Sequence, residues 1–279
     1  YNTAVGFHAG YQVSTGVENV LIGGLAGDAL TTGSGNVALG TEALSAEDTH
    51  GKNVAIGHQA LLVQNAGADA HNVAVGYQAG KAVSTGFDNV LLGGLAGDAL
   101  TTGSYNIAIG KSALGTEDGN GKNIAIGYEA LAVLNAGTDG FNVAIGQEAG
   151  HDLTTGVQNT LVGGLAGDAM TVGQNNVAIG VTALSSDVGG SRTVAIGRGA
   201  LENQNMGSSD TNSHNVAVGY GAGASVTTGT VNTLIGATAG DSLTSGNSNV
   251  AIGYQALTSD TLGDRNIAIG NVSITQRVG

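Results

Sequence analysis

The sequence predicts an all-β protein: a parallel β-solenoid, or β-roll, of sixteen coils of about 17 residues each. Three observations carry that expectation. First, a pentapeptide reading NVAIG at 53–57 recurs in sixteen variants. They start at Asn2, Asn19, Asn36, Asn53, Asn72, Asn89, Asn106, Asn123, Asn142, Asn159, Asn176, Thr193, Asn215, Asn232, Asn249 and Asn266. Second, successive starts lie 17 residues apart, except for gaps of 19, 19 and 22 after the fourth, eighth and twelfth copies. Fixed self-similarity at short period marks stacked repeats, each buried only by its neighbours. Third, Gly supplies 50 of 279 residues and Pro none, yet apolar residues hold 41% of the chain in fixed register. That register argues for ordered coils, where the glycine content alone would suggest disorder.

The gaps define a second period. Four superunits of four coils follow, 2–71, 72–141, 142–214 and 215–279, within one continuous array 1–279. Duplication of a four-coil block is the simplest origin.

Counting the Asn as position zero, positions one and three are Val, Ile, Leu or Thr in every coil. Position two is Ala in twelve coils and Leu in four, always the second coil of a superunit: Leu21, Leu91, Leu161 and Leu234. Side chains alternate along a strand, so the strand is apolar on both faces and both call for burial. Positions one and three are expected to fill the coil interior. Position two, including Ala55 and Ala125, is expected to face another copy of the chain. Small interiors look underbuilt for a monomer, which makes an obligate homo-oligomer of cyclic symmetry the expectation. At roughly 4.8 Å per coil the stack would be about 75 Å long.

Position four is Gly in all sixteen coils, Gly57 and Gly127 among them, and makes the bend after the strand. A second short strand is expected near positions seven to eleven, with a Gly near position fourteen or fifteen closing the turn. Asn53, Asn123 and their equivalents are read as structural: the amide caps the bend and bonds along the stack. Thr193 keeps a capping hydroxyl at the one exception.

Net charge is −13. No basic stripe exists for phosphate contacts, so nucleic acid is not an expected partner. No apolar run reaches the roughly 20 residues of a spanning helix, and zero Cys excludes thiolate metal sites. Tyr1 stands where Tyr105 and Phe141 stand before their repeats, so the chain reads as cut from a longer protein.

The remaining patterns read as structural. Asp28, Asp98, Asp168 and Asp241, one per superunit, stabilise bends and are too far apart to share a calcium ion. The third coils carry Glu47 and Asp48, Glu117 and Asp118, Asp187, and Asp260, with Lys52, Lys122, Arg192 and Arg265 at position sixteen; these predict outer-edge ion pairs. His8, His50, His58, His71, His151 and His214 share no metal spacing. Thr pairs such as Thr31–Thr32 and Thr101–Thr102 are interrupted by the third and fourth coils, which argues against a flat ice-binding face. Gly-Gly-Leu-Ala-Gly lacks the Lys and helix of a phosphate loop. No catalytic constellation is present, so no enzyme, cofactor or metal is expected.

NVAVGYQAG at 72–80, ALTTGS at 99–104 and NVAIGYQAL at 249–257 resemble the NTAVGYQAG-type arrays of phage and bacterial fibre proteins. The pentapeptide is also similar to the head repeats of YadA-type trimeric adhesins, although coils here are longer and open with Asn. The resemblance implies a left-handed roll in a homotrimeric fibre. The expected function is a structural fibre segment of a phage tail or virion appendage, serving as rigid spacer and host-surface adhesin. The alternative is the head of a bacterial trimeric surface adhesin. Localisation would be the virion or the extracellular cell surface. Receptor contact, with a host glycan or protein, is expected at positions five and six and in the loops 65–71, 135–141 and 203–214.

Overall fold

A computed structural model of the chain describes residues 1–274. Among these the regular structure is all strand, and each of the sixteen coils contributes one strand of three residues. The array divides into two units, Tyr1–Phe141 and Asn142–Gly279, at the boundary between the second and third superunits. Each unit is a parallel β-solenoid of eight coils. The first runs from the strand Thr3–Val5 to Ile124–Ile126, the second from Val143–Ile145 to Ile267–Ile269.

Stacking is like on like. Val54, Ala55 and Ile56 pair in register with Val73, Ala74 and Val75. The backbone ladder continues past the strand: Gly23 N–H donates to Val5 O (2.8 Å), Leu25 to Phe7 O (2.8 Å), Gly10 to Ala26 O (2.9 Å) and Ser14 to Thr31 O (2.9 Å). Almost every part of a coil is therefore tied to its neighbour, as buried backbone requires.

The second strand expected at positions seven to eleven does not form. Position six is left-handed in every coil, from Gln59 (φ 58°) to Gln255 (φ 54°), and position eight follows, as at Leu61 (φ 49°) and Gly80 (φ 59°). Two left-handed residues so close together wind the chain into consecutive turns and deny it extended backbone. A single two-residue ladder, Gly190–Ser191 with Thr211–Asn212, accompanies the longest fourth-coil loop. The turn back to the next Asn is made at position sixteen, where Tyr105 (φ 62°) and Lys122 (φ 63°) are left-handed, and not by the glycines two residues earlier.

The strand faces are the reverse of the expectation. Leu21, Leu91, Leu161, Leu234, Ala55 and Ala125, expected at an oligomer interface, are fully buried within the chain itself. Positions one and three instead lie outside, half-buried or exposed, as in Val54 and Ile56. Parity explains this: Asn53 and Asn72 at position zero are fully buried, and position two shares their face.

The four-coil period is then a packing code. Each second-coil Leu needs Gly at position eight of its own coil and of the one before. A Cβ on Gly10 would lie 2.6 Å from a Leu21 methyl, and one on Gly27 2.8 Å from the other. In third and fourth coils position two returns to Ala, and position eight supplies the bulk through buried Leu44, Leu61, Leu114 and Leu131. The large side chain alternates between the two walls of the coil.

The Asn column runs through this interior. Asn89 Oδ1 accepts the Asn106 N–H (2.9 Å), while its Nδ2 donates to Gly103 O (2.9 Å) and Asn72 Oδ1 (3.1 Å). Asn53 Oδ1 likewise accepts the Asn72 N–H (3.1 Å), and the Asn123 N–H donates to Asn106 Oδ1 (3.1 Å). At the exception, Thr193 Oγ1 meets Ser213 Oγ (2.5 Å), and the Asn215 N–H turns to that serine (3.4 Å).

Glycine at position four is dictated by geometry. Gly57 has φ +135°, and a Cβ there would lie 2.2 Å from Gly76 O in the next coil; Gly127 has φ 142°. The close stacking of these glycines admits no side chain.

Candidate functional surfaces

Positions one and three build a continuous apolar surface along each unit. In each unit their Val, Ile, Leu and Thr side chains form two adjacent columns beside the buried Ala and Leu. Leu39 is 41% exposed, Ile145, Ile179 and Ile235 each 38%. Most other members are half-buried by their stack neighbours. Contiguous apolar stripes of this kind are features through which proteins meet partners.

The third-coil acids were expected on the outer edge, and here the structure differs again. Position eleven points inward: it carries Val13 and Val83 in first coils and Leu30, Leu100 and Met170 in second coils, all but Val13 fully buried. Glu47, Glu117 and Asp187 occupy the same inward position and are fully buried. Their charges are stabilised locally, not by the basic residue at position sixteen. Glu117 Oε1 accepts from the Asn120 N–H (3.3 Å) and Nδ2 (3.0 Å). Asp187 Oδ1 accepts from the N–H of Gly190 (3.0 Å) and Met206 (3.1 Å), and Gln204 Nε2 donates to its Oδ2 (2.5 Å). Burial nonetheless outweighs these bonds and pushes all three carboxyls above their ordinary values.

The bases turn to the following loop instead. Lys52 pairs with Asp69 (2.6 Å) and Lys122 with Asp139 (2.5 Å), and the lysine bonds hold both carboxyls below the usual range. Arg192 bonds Asn212, and Ser191 donates to Asp210. The loops 65–71, 135–141 and 203–214 are thus pinned to the preceding coil.

Other expected features fall into place as framework. Asp28, Asp98, Asp168 and Asp241 are pushed up by burial and bond their own backbone N–H. Thr31 and Thr101 hydroxyls donate to Asp48 O (3.0 Å) and Asp118 O (2.8 Å) across the stack. Glu47, Asp48 and His50 bring one ligand-type atom each within 4.8 Å of one another. The grouping is that of a turn: the His50 N–H donates to Glu47 Oε1 (3.1 Å), and Asn120 makes the same bond in the second superunit.

Beyond the glycine bend, positions five, six and nine form a shallow trough along the stack. In the first unit its floor is filled by Glu42, Gln59 and Gln78, bonded in series at 2.7 Å. In the second unit the floor opens into a cavity of about 340 Å³ lined by Thr182, Arg198, Gly199, Glu202, Tyr220, Gly221, Ala224, Thr238 and Asp241. Receptor contact was expected at positions five and six, but the cavity itself was not foreseen. Its signal was two consecutive coils with Gly at position six.

Among the described residues no helix is long and apolar enough to cross a membrane. Comparison of the sequence with protein-family models and with curated proteins returns no match.

Proposed function

We propose that this chain is a structural fibre segment of a phage tail or virion appendage, in which copies join as a homotrimer to make a rigid spacer that also meets a host surface. The carrying observation is the aliphatic ladder of positions one and three. An interior already filled by Ala and Leu leaves these columns without a partner inside the chain, and a second copy bearing the same stripe is its natural complement. Backbone bonds between successive coils supply the stiffness. The segment makes no use of catalytic chemistry, and its place is outside the cell or on the virion.

The test separates the two strand faces. Replacing Ile145 and Ile179 together by Asp charges the outer stripe without touching the interior. The account expects folded monomers by circular dichroism and light scattering. Assembly unchanged by the double substitution would remove this stripe from the interface.

A further inference from the structure

The trough in the second unit has the makings of a ligand site, and its origin lies in two residues. Every coil is left-handed at position six, and fourteen of the sixteen manage it with a side chain, such as Thr182 (φ 56°) and Thr238 (φ 52°). Glycine at Gly199 and Gly221 is therefore not needed by the backbone. At Gly221 it is not needed for space either, since a Cβ there would meet only a Thr238 methyl, at 3.5 Å, while at Gly199 a Cβ would press only on the movable tip of Glu202. What the two glycines do, with Ala224 beside them, is leave the floor open.

Around that floor stand polar groups with little else to bind. Arg198 forms no ion pair with any described residue; its guanidinium lies 6.0 Å from the Tyr220 ring centroid. The Glu202 carboxylate leans over the floor, 3.1 Å from where a Gly199 Cβ would be. Thr182 and Tyr220 complete the rim. A guanidinium, a carboxylate, a phenol and a hydroxyl around a cavity within the ordinary size range of small-molecule sites, about 300–1,000 Å³, suit a ligand rich in hydrogen-bonding groups.

We infer that this trough binds a neutral saccharide, one or two rings of a glycan. The Glu202 carboxylate accepts from sugar hydroxyls, Arg198 and Thr182 donate to them, and Tyr220 offers an aromatic wall to the C–H edge. One guanidinium against two carboxylates, in a chain of net charge −13, disfavours anionic sugars. This site is separate from the aliphatic stripe and stands whether or not the chain is a fibre.

Saturation-transfer NMR on the whole chain tests it, with millimolar maltose, lactose, methyl mannoside and N-acetylglucosamine as probes. Sialic acid, glucuronate and free glycine serve as controls for anionic and zwitterionic ligands. The expected result is transfer to at least one neutral sugar, weakened at least tenfold by Gly221→Gln with an unchanged melting temperature. Gln is tolerated at this position in Gln59, Gln78 and Gln255 (φ 54° to 58°), so the variant should fold. Glu202→Gln should weaken the same signal. Transfer to no neutral sugar, transfer only to the controls, or undiminished transfer in Gly221→Gln would overturn the inference. Light scattering on the same samples reads assembly separately, so failure of sugar binding and failure of the fibre reading remain distinct.

Discussion

Truncating Leu91 to Ala would leave a hole over Gly80 and Gly97, where its two methyls now sit. Methyls of Leu61, Val83 and Leu100 border the same space, so the cost depends on how far they collapse into it. The expected loss is about 2–5 kcal/mol, read by chemical denaturation. Ile109→Ala, at a half-buried outer position, should cost folding much less and weaken assembly instead. A similar argument applies to the polar column. Asn89→Ala would orphan the Asn106 N–H and Gly103 O inside the stack. At about 1–3 kcal/mol for each stranded group, a loss of roughly 2–6 kcal/mol is expected, and a neutral effect would show that the column is dispensable. At this scale the sequence was informative about which positions matter and misleading about direction. Invariant Asn and Gly marked the tight points. The parity rule left two choices for positions one to three, and the absence of large side chains seemed to favour Val and Ile inside. The deciding clue was the complement of Leu at position two with Gly at position eight, as in Leu21 with Gly10 and Gly27.

One coil is a three-residue strand followed by turns, and its weak element is the buried acid of the third coil in the first three superunits. Glu47, Glu117 and Asp187 ionise at ordinary values, near 4.5 for Glu and 3.8 for Asp, in the unfolded chain but only at higher pH when folded. Between those values the folded state holds more protons. Stability is then greatest below the unfolded values and falls as pH rises through the folded ones. Asp69, Asp139 and Asp210 act the other way, their contribution fading as pH drops. The Lys-paired two are exposed pairs of the class worth about 0–1 kcal/mol. The melting temperature is therefore expected to rise from neutral pH to about pH 4.5, opposite to ordinary acid denaturation. Glu117→Gln should flatten that profile, and a melting temperature that falls on acidification would refute the burial argument. Sequence spacing placed these acids near a bend, and proximity to Lys52 and Lys122 suggested pairing. Only the inward direction of position eleven, legible in Leu30 and Met170 but not carried over to the third coil, distinguishes the two outcomes.

For the whole molecule the repeat settled architecture: sixteen coils, parallel and in register, follow directly from the NVAIG spacing. The expectation of a partner also followed from a strand apolar on both faces, but the interior and exterior had to be exchanged before the partner surface could be named. The cavity at Gly199 and Gly221 was invisible to periodicity, since it arises where two coils depart from the pattern of the rest. The central claim, that the aliphatic stripe joins copies of the chain, is tested most directly by sedimentation equilibrium of the unmodified protein. The account predicts a mass three times that of the 27.1 kDa chain, independent of concentration across the micromolar range. A folded species at the single-chain mass would contradict it.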